Sequence, residues 1–133
     1  MKYLLDTNAR IEFLRRPDSP VKRKLLQVSL EDVVLCSVVK AELYYGAQKS
    51  AHVERNATLM REFFASFESL PFDDDAAESY GNVRAHLEKR GETIGPNDLM
   101  IAAIALAHGS TLVTHNKDEF RRIPDLVVED WQT

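Results

Sequence analysis

Short apolar runs, too brief to be helices, alternate along this chain with longer segments of helical spacing, and that alternation leaves few architectures open. Lys2–Leu5 is an apolar run that ends at Asp6, and a helical pattern through Ile11 and Leu14 follows it and stops before Pro17. Ser19 as cap and Pro20 at the first helical position announce a second helix through Leu25, Leu26 and Val28. Val33–Cys36 reads as a strand, and Ser37 is placed to cap a helix that carries Glu42 and runs to about Lys49. Val53, Ala57, Met60, Phe63, Phe64 and Phe67 form an apolar stripe suited to the core or to a partner. Leu70–Phe72 is a short strand candidate, Ala76–Leu87 a long helix closed by Gly91, and Gly95-Pro96 opens an apolar helix that Gly109 closes. Thr111–Thr114 and Leu126–Val128 supply the last strands. Strands alternating with helices predict an α/β domain with a mostly parallel sheet covered on both faces, whose ligands meet the rim beyond the carboxyl ends of the strands.

At 133 residues and 44% hydrophobic composition, one domain over 1–133 with a real core is expected. A formal charge of -4 argues against gripping nucleic acid by bulk electrostatics, yet it leaves a nucleic-acid enzyme open. Local basic clusters stand at Arg15 and Arg16 and at Lys22, Arg23 and Lys24, where a solvated helical face is the plainer reading. The one cysteine, Cys36, lies among apolar neighbours and reads as a buried thiol. Asp6 interrupts the N-terminal run too early for a signal peptide and no run has the length of a membrane span, so a cytoplasmic protein without membrane contact is expected.

Three acids sit where carboxylates are unexpected. Asp6 follows the first strand, Glu42 lies within an apolar helix, and Asp98 opens another. Asp6 and Asp98 each have an innocent use as helix-start residues. Glu42 is harder to excuse, because its neighbours Ala41, Leu43 and Tyr44 are apolar or aromatic, and Lys40 or Arg84 are the plain candidates to neutralise it. If all three converge on the rim, their repulsion calls for a proton or a cation between them. Oxygen ligands without a His-Cys cluster suit Mg2+ or Mn2+ better than Zn2+. No zinc spacing joins His52, His86, His108 and His115, and neither a glycine-rich phosphate loop nor a nucleophile-elbow serine is present. His115 is expected on a loop or in the core, with substrate contact as the sharper alternative.

Leu5-Asp6-Thr7-Asn8, Ala41-Glu42-Leu43 with Tyr45-Gly46-Ala47, Gly95 through Ala103, and Leu112-Val113-Thr114-His115-Asn116 through Phe120 occur in that order. Together these blocks resemble the PIN-domain ribonucleases, and more narrowly the VapC toxins of bacterial toxin-antitoxin modules, over essentially the whole chain to Val127–Trp131. The resemblance implies a three-layer α/β/α PIN-like domain with a central sheet of four to five strands. It places Asp6, Glu42 and Asp98 at the family's metal positions, Thr7 and Asn8 in support of the first acid, and Thr114 in the supporting fourth block. Asn116 departs from the aspartate that many PIN domains carry there, and Glu119 is the residue able to supply the missing carboxylate. Arg10 departs from the usual apolar residue of its stretch.

The implied activity is that of a metal-dependent endoribonuclease using Mg2+, with Mn2+ able to substitute. Asp6 and Asp98 would ligate, Glu42 would bind the metal or its water, and Asn116 would position water or a phosphate oxygen; water attack would leave a 5'-phosphate and a 3'-hydroxyl. A histidine-pair ribonuclease would leave a cyclic phosphate instead. The family also implies a homodimer, a VapB-type antitoxin whose C-terminal segment covers the acids, and an RNA substrate. For VapC toxins that share the Gly-Pro-x-Asp block, that substrate is the anticodon loop of initiator tRNA. Two rivals remain. A phosphatase of the haloacid-dehalogenase type would need an aspartate where Asn8 stands, and a non-catalytic PIN-like binding module would have no use for all three acids.

Overall fold

The computed structural model describes residues 1–7 and 20–132. The helical pattern through Ile11 and Leu14, the Ser19 cap, and Asn8 and Arg10 fall outside the described residues. Strands β1 (Tyr3–Leu5), β2 (Val33–Cys36), β3 (Glu68–Leu70), β4 (Thr111–Val113) and β5 (Val128–Glu129) form one sheet in the order β3-β2-β1-β4-β5. All four pairings are parallel, with Leu4 beside Val34 on one side and Leu112 on the other. The helices are α1 (Pro20–Gln27), α2 (Ser37–Gln48), α3 (Val53–Phe64), α4 (Asp74–Lys89), α5 (Pro96–Ala107) and the single turn α6 (Lys117–Phe120). Among the described residues no helix is long and apolar enough to cross a membrane.

Burial explains the order. Leu4, Leu5, Val34, Leu35 and Leu112 are fully buried, so the middle strands are apolar on both faces and need helices above and below. The chain travels from β1 to β2 to β3, then crosses back over β1 to β4 and on to β5. Right-handed crossovers put the helices before β3 on one face and those after it on the other. Helix α5 accounts for its all-round apolarity by packing on α4 while also touching α2 and β4. Its alanines 102, 103 and 105 are buried, and their small side chains let those elements come close.

Most helix ends have visible causes. Asp73 caps α4, its carboxylate accepting from Ala76 N at 3.0 Å. Gly91 (φ 68) and Gly109 (φ 64) end α4 and α5 in the left-handed region. The Glu92 N–H bonds to Leu87 O and the Gly91 N–H to Glu88 O, and Ser110 and Gly109 repeat that pair on Ala105 and Leu106. Pro20 and Pro96 occupy first helical positions, as expected.

Several boundaries differ from expectation. Ser37 is the first residue of α2 rather than its cap; Cys36 holds that place without a side-chain bond, because β2 runs directly into the helix. Strand β3 lies two residues earlier than Leu70–Phe72, with Glu68 and Ser69 exposed at the sheet edge, and β5 is Val128–Glu129 rather than Leu126–Val128. In the helix read through Leu25, Leu26 and Val28, Leu25 is buried while Leu26 is 79% exposed. The α3 stripe is core: Ala57 and Phe64 are buried, and Met60, Phe63 and Phe67 pack on the central cluster. Cys36 is buried, which pushes its thiol up to about 11 and keeps it neutral.

Asp73→Ala removes the α4 cap and should lower stability by about 1 kcal/mol in urea unfolding, with Asp73→Asn nearly silent. Gly91→Ala, forced into the left-handed region, should cost about 1–2 kcal/mol by the same measurement.

Candidate metal centre

Connections from β1 and from β4 leave in opposite directions, although the two strands are neighbours. Such a switch point opens a crevice beyond the carboxyl ends of the two strands. Asp6 follows β1 there and Thr114–Asn116 follow β4. The Asp6 N–H donates to Val113 O at 3.1 Å, extending the ladder by one bond and fixing the acid beside β4. Asp6 is buried, one of the few polar residues that are.

Glu42 enters from α2, just over a turn past the carboxyl end of β2. Thr7 Oγ1 donates to Glu42 Oε1 at 2.8 Å. Thr7, expected in support of Asp6, lends its hydroxyl to the second acid. Neither candidate cation neutralises Glu42. Lys40 Nζ lies over the Phe64 ring at 5.1 Å, and Arg84 bonds to Glu88 and to the Tyr80 hydroxyl.

Asp98 lies in the first turn of α5, whose cap is Gly95 and whose first residue is Pro96, and it makes no capping bond. Its pKa is raised from 3.8 to about 6, first by burial and then by the charges of Glu119, Glu42 and Asp6. Four carboxylates from four segments therefore share one electrostatic neighbourhood. Among the described residues no three His, Cys, Asp or Glu side chains are already closed around one point. Mg2+ is held by one or two carboxylates with water completing its shell, so full convergence is not required. Among the described residues the donor set is all oxygen, and no lysine or arginine pairs with Glu42 or Asp98, which fits a hard divalent cation.

The fourth block is organised around Glu119. Its Oε1 accepts from the Gly95 N–H at 3.3 Å, and its Oε2 accepts a short hydrogen bond from Asn116 Nδ2. Asn116 N in turn donates to Thr114 Oγ1 at 3.0 Å, and Thr114 is buried. Glu119 thus ties the turn before α5 to the loop after β4, with both oxygens engaged while its charge still reaches Asp98. Asn8 lies outside the described residues. Beside Glu42 a cleft of about 640 Å3 opens, walled by Val38, Ala41, Tyr45 and Met100, with Thr7 and Asn97 at its polar edge.

One anchor had no sequence signal. Asp130, following β5, accepts from His115 Nδ1 at 3.0 Å and from the Gln132 N–H at 2.9 Å, with Lys117 Nζ at 3.5 Å. Burial opposes its ionisation, but these partners outweigh burial and hold its pKa below the usual carboxylate value. His115 is accordingly a loop residue with a fixed ring, 58% exposed. Only the strand order brings residues 115 and 130 together.

Because Asp98 has a raised pKa, its ionised form is penalised in the folded state. That penalty is complete above about pH 6, shrinks as pH falls through 6, and is gone below about 3.8. Asp98→Asn should therefore stabilise the protein by about 1 kcal/mol at pH 8, discounted for partial exposure, and by nearly nothing at pH 4, read from urea midpoints at the two pH values.

Residues 3–126 match the family model of the PIN domain. Ribonuclease VapC2 of Rickettsia felis is 39% identical over 132 residues, 98% of each chain. The tRNA(fMet)-specific endonuclease VapC of Salmonella typhimurium is 36% identical over 131 residues, again 98% of each. Among solved structures, VapBC-1 from nontypeable Haemophilus influenzae has a TM-score of 0.92 at 33% identity, covering 100% of both chains. VapBC2 from Rickettsia felis, bound to a DNA fragment from its promoter, has a TM-score of 0.89 at 36% identity, covering 98% of this chain and 99% of that one. With the blocks around Asp6, Glu42, Asp98 and Asn116 on this sheet, the chain belongs to the PIN-domain family and, within it, to the VapC ribonucleases.

Proposed function

We propose that this protein is a divalent-metal-dependent endoribonuclease, the toxin of a toxin-antitoxin pair, acting at the crevice between the ends of β1 and β4. The observation that carries the reading is the electrostatics of Asp98. Its carboxyl is pushed up first by burial and then by three other carboxylates, and it has no lysine or arginine partner among the described residues. A site built to be structural would have acquired a cation of its own; this one is prepared to receive one.

Asp6 and Asp98 hold the metal and Glu42 binds it or its water, with Mg2+ the expected ion and Mn2+ able to replace it. Bound there, a divalent ion lowers the pKa of water and stabilises charge on the phosphate under attack. The chain's own residues do the rest. Thr7 keeps the Glu42 carboxylate oriented, and Asp6 is fixed by its backbone bond to β4. Asn116, its amide held by Glu119 and its N–H by Thr114, sits where a water or a phosphate oxygen can be positioned. The two hydrogen bonds on Glu119 favour a positioning role for it over that of a metal ligand. None of these groups needs the ribose 2'-hydroxyl, so the products are a 5'-phosphate and a 3'-hydroxyl.

The substrate reading is tRNA, with initiator tRNA first, since a 36% identical relative is named for tRNA(fMet), and within it the anticodon loop, since single-stranded loops expose base edges. A VapB-type antitoxin is the protein partner, as in the VapBC structures this fold matches. Self-association as a homodimer and residence in the cytoplasm complete the reading.

Asp6→Asn and Asp98→Asn should each lower cleavage of tRNA by at least about 100-fold while the fold stays intact by circular dichroism. Wild-type rates from either in Mg2+ would sink the assignment of the site. Chelation should stop cleavage, Mg2+ or Mn2+ should restore it, and end-group analysis should find 5'-phosphates. A cyclic phosphate would point to histidine chemistry instead, and hydrolysis of a chromogenic phosphomonoester to a phosphatase.

A further inference from the structure

The contacts of Asp130 lead from the acids to a second feature of the same rim. A groove of about 390 Å3 opens between α1 and the chain after β5, with Arg23, Lys24 and Gln27 on one wall and Glu129 and Asp130 on the other. Trp131 also lines it; its ring is buried and packs on Tyr3 at 5.3 Å between centroids, so that wall is rigid.

The groove holds two acids, and both are turned to internal partners. The Asp130 side chain is only 4% exposed and is occupied by His115, Lys117 and the Gln132 N–H. Glu129 Oε1 accepts from Trp131 Nε1 at 3.1 Å. Arg23 and Lys24, by contrast, make no ion pair among the described residues. A helical face that looked merely solvated in the sequence therefore lines a groove. An ionised Asp130 only accepts, so His115 Nδ1 carries the proton of that bond and Nε2 is left for a ligand. Nε2 accepts from a ribose hydroxyl when the ring is neutral and donates to a phosphate when it is protonated.

His115, bonded to Asp130 of the groove wall, directly precedes Asn116, whose amide bonds to Glu119, so this chain of contacts links the groove to the fourth block. A strand of RNA with one phosphate at the acid cluster meets like charge from Glu42, Asp98 and Glu119. It needs unpaired cations close by to be held at all.

We infer that this groove is the subsite for the RNA backbone flanking the cleaved bond, with Arg23 and Lys24 on phosphates and His115 presenting Nε2 from its anchor on Asp130. The inference rests on the nuclease reading above for its substrate class, and it can be tested apart from cleavage. The full chain carrying Asp98→Asn, titrated against a fluorescein-labelled single-stranded RNA, should bind measurably by anisotropy. Adding Arg23→Gln and Lys24→Gln should weaken binding about tenfold at low salt and reduce the log-log salt slope by about 1.4, near 0.7 for each phosphate contact removed. The charge-matched pair Arg55→Gln and Lys89→Gln, on α3 and α4, should change neither quantity. In the chain with Asp98 intact, Arg23→Gln and Lys24→Gln should raise KM about tenfold and leave kcat within about twofold.

Unchanged affinity and slope in the groove variant overturn the inference, as does an equal loss from the control pair. A groove variant that binds RNA normally but binds an antitoxin poorly overturns it too, assigning the surface to protein. If the intact chain cleaves no RNA, the nuclease reading fails, and the anisotropy titration still decides the groove.

Discussion

Like charge held at close range destabilises a fold, and the rim beyond β1 and β4 is arranged around that constraint. Asp6, Glu42, Asp98 and Glu119 come from four separate segments, and burial together with the charges of the other three pushes the Asp98 carboxyl up to about 6. The protein steadies them with uncharged donors. Thr7 serves Glu42, the Gly95 N–H and the Asn116 amide serve Glu119, and the Asp6 backbone bonds to β4. Neutral donors orient a carboxylate without cancelling it, whereas a lysine or arginine would occupy the place of the proposed metal ion. Arg84 and Lys40, each a plausible neutraliser from sequence, are engaged elsewhere.

The same rim shows the opposite treatment a few residues away. Asp130 is surrounded by His115, Lys117 and a backbone N–H, and its charge is consumed in holding them. Its pKa is lowered where that of Asp98 is raised. Two carboxyls, Asp130 just after β5 and Asp98 in the first turn of α5, thus have opposite electrostatic fates, one a fastener and the other a candidate ligand. The difference lies in what the next segment places beside each of them.

What the sequence discloses follows from how local its cause is. β2 matches Val33–Cys36 residue for residue because burial on both faces leaves an unbroken apolar run. α4 and α5 end at Gly91 and Gly109 because only glycine adopts that backbone conformation without penalty. β3 was misplaced because two of its three residues, Glu68 and Ser69, face solvent at an edge and carry no apolar signature. At the centre, residue type marked Asp6, Glu42 and Asp98, the family resemblance marked Asn116, and strand order brought the segments after β1 and β4 together. Which donor serves which acceptor was not legible. The Thr7 hydroxyl bonds to Glu42, and His115 to Asp130, because such pairings depend on β1 lying between β2 and β4 and on β5 lying beside β4.

The middle position of β1 also governs when a working centre can exist. The first strand made is the one that needs the most distant neighbour, since Leu5 pairs with Val113 and the Asp6 N–H bonds to that same residue. A nascent chain that has emerged as far as α4 has Asp6 and Glu42 but lacks both Asp98 and the strand that sets Asp6. Hazardous chemistry is thereby withheld from incomplete translation products and is assembled only after most of the polypeptide has left the ribosome.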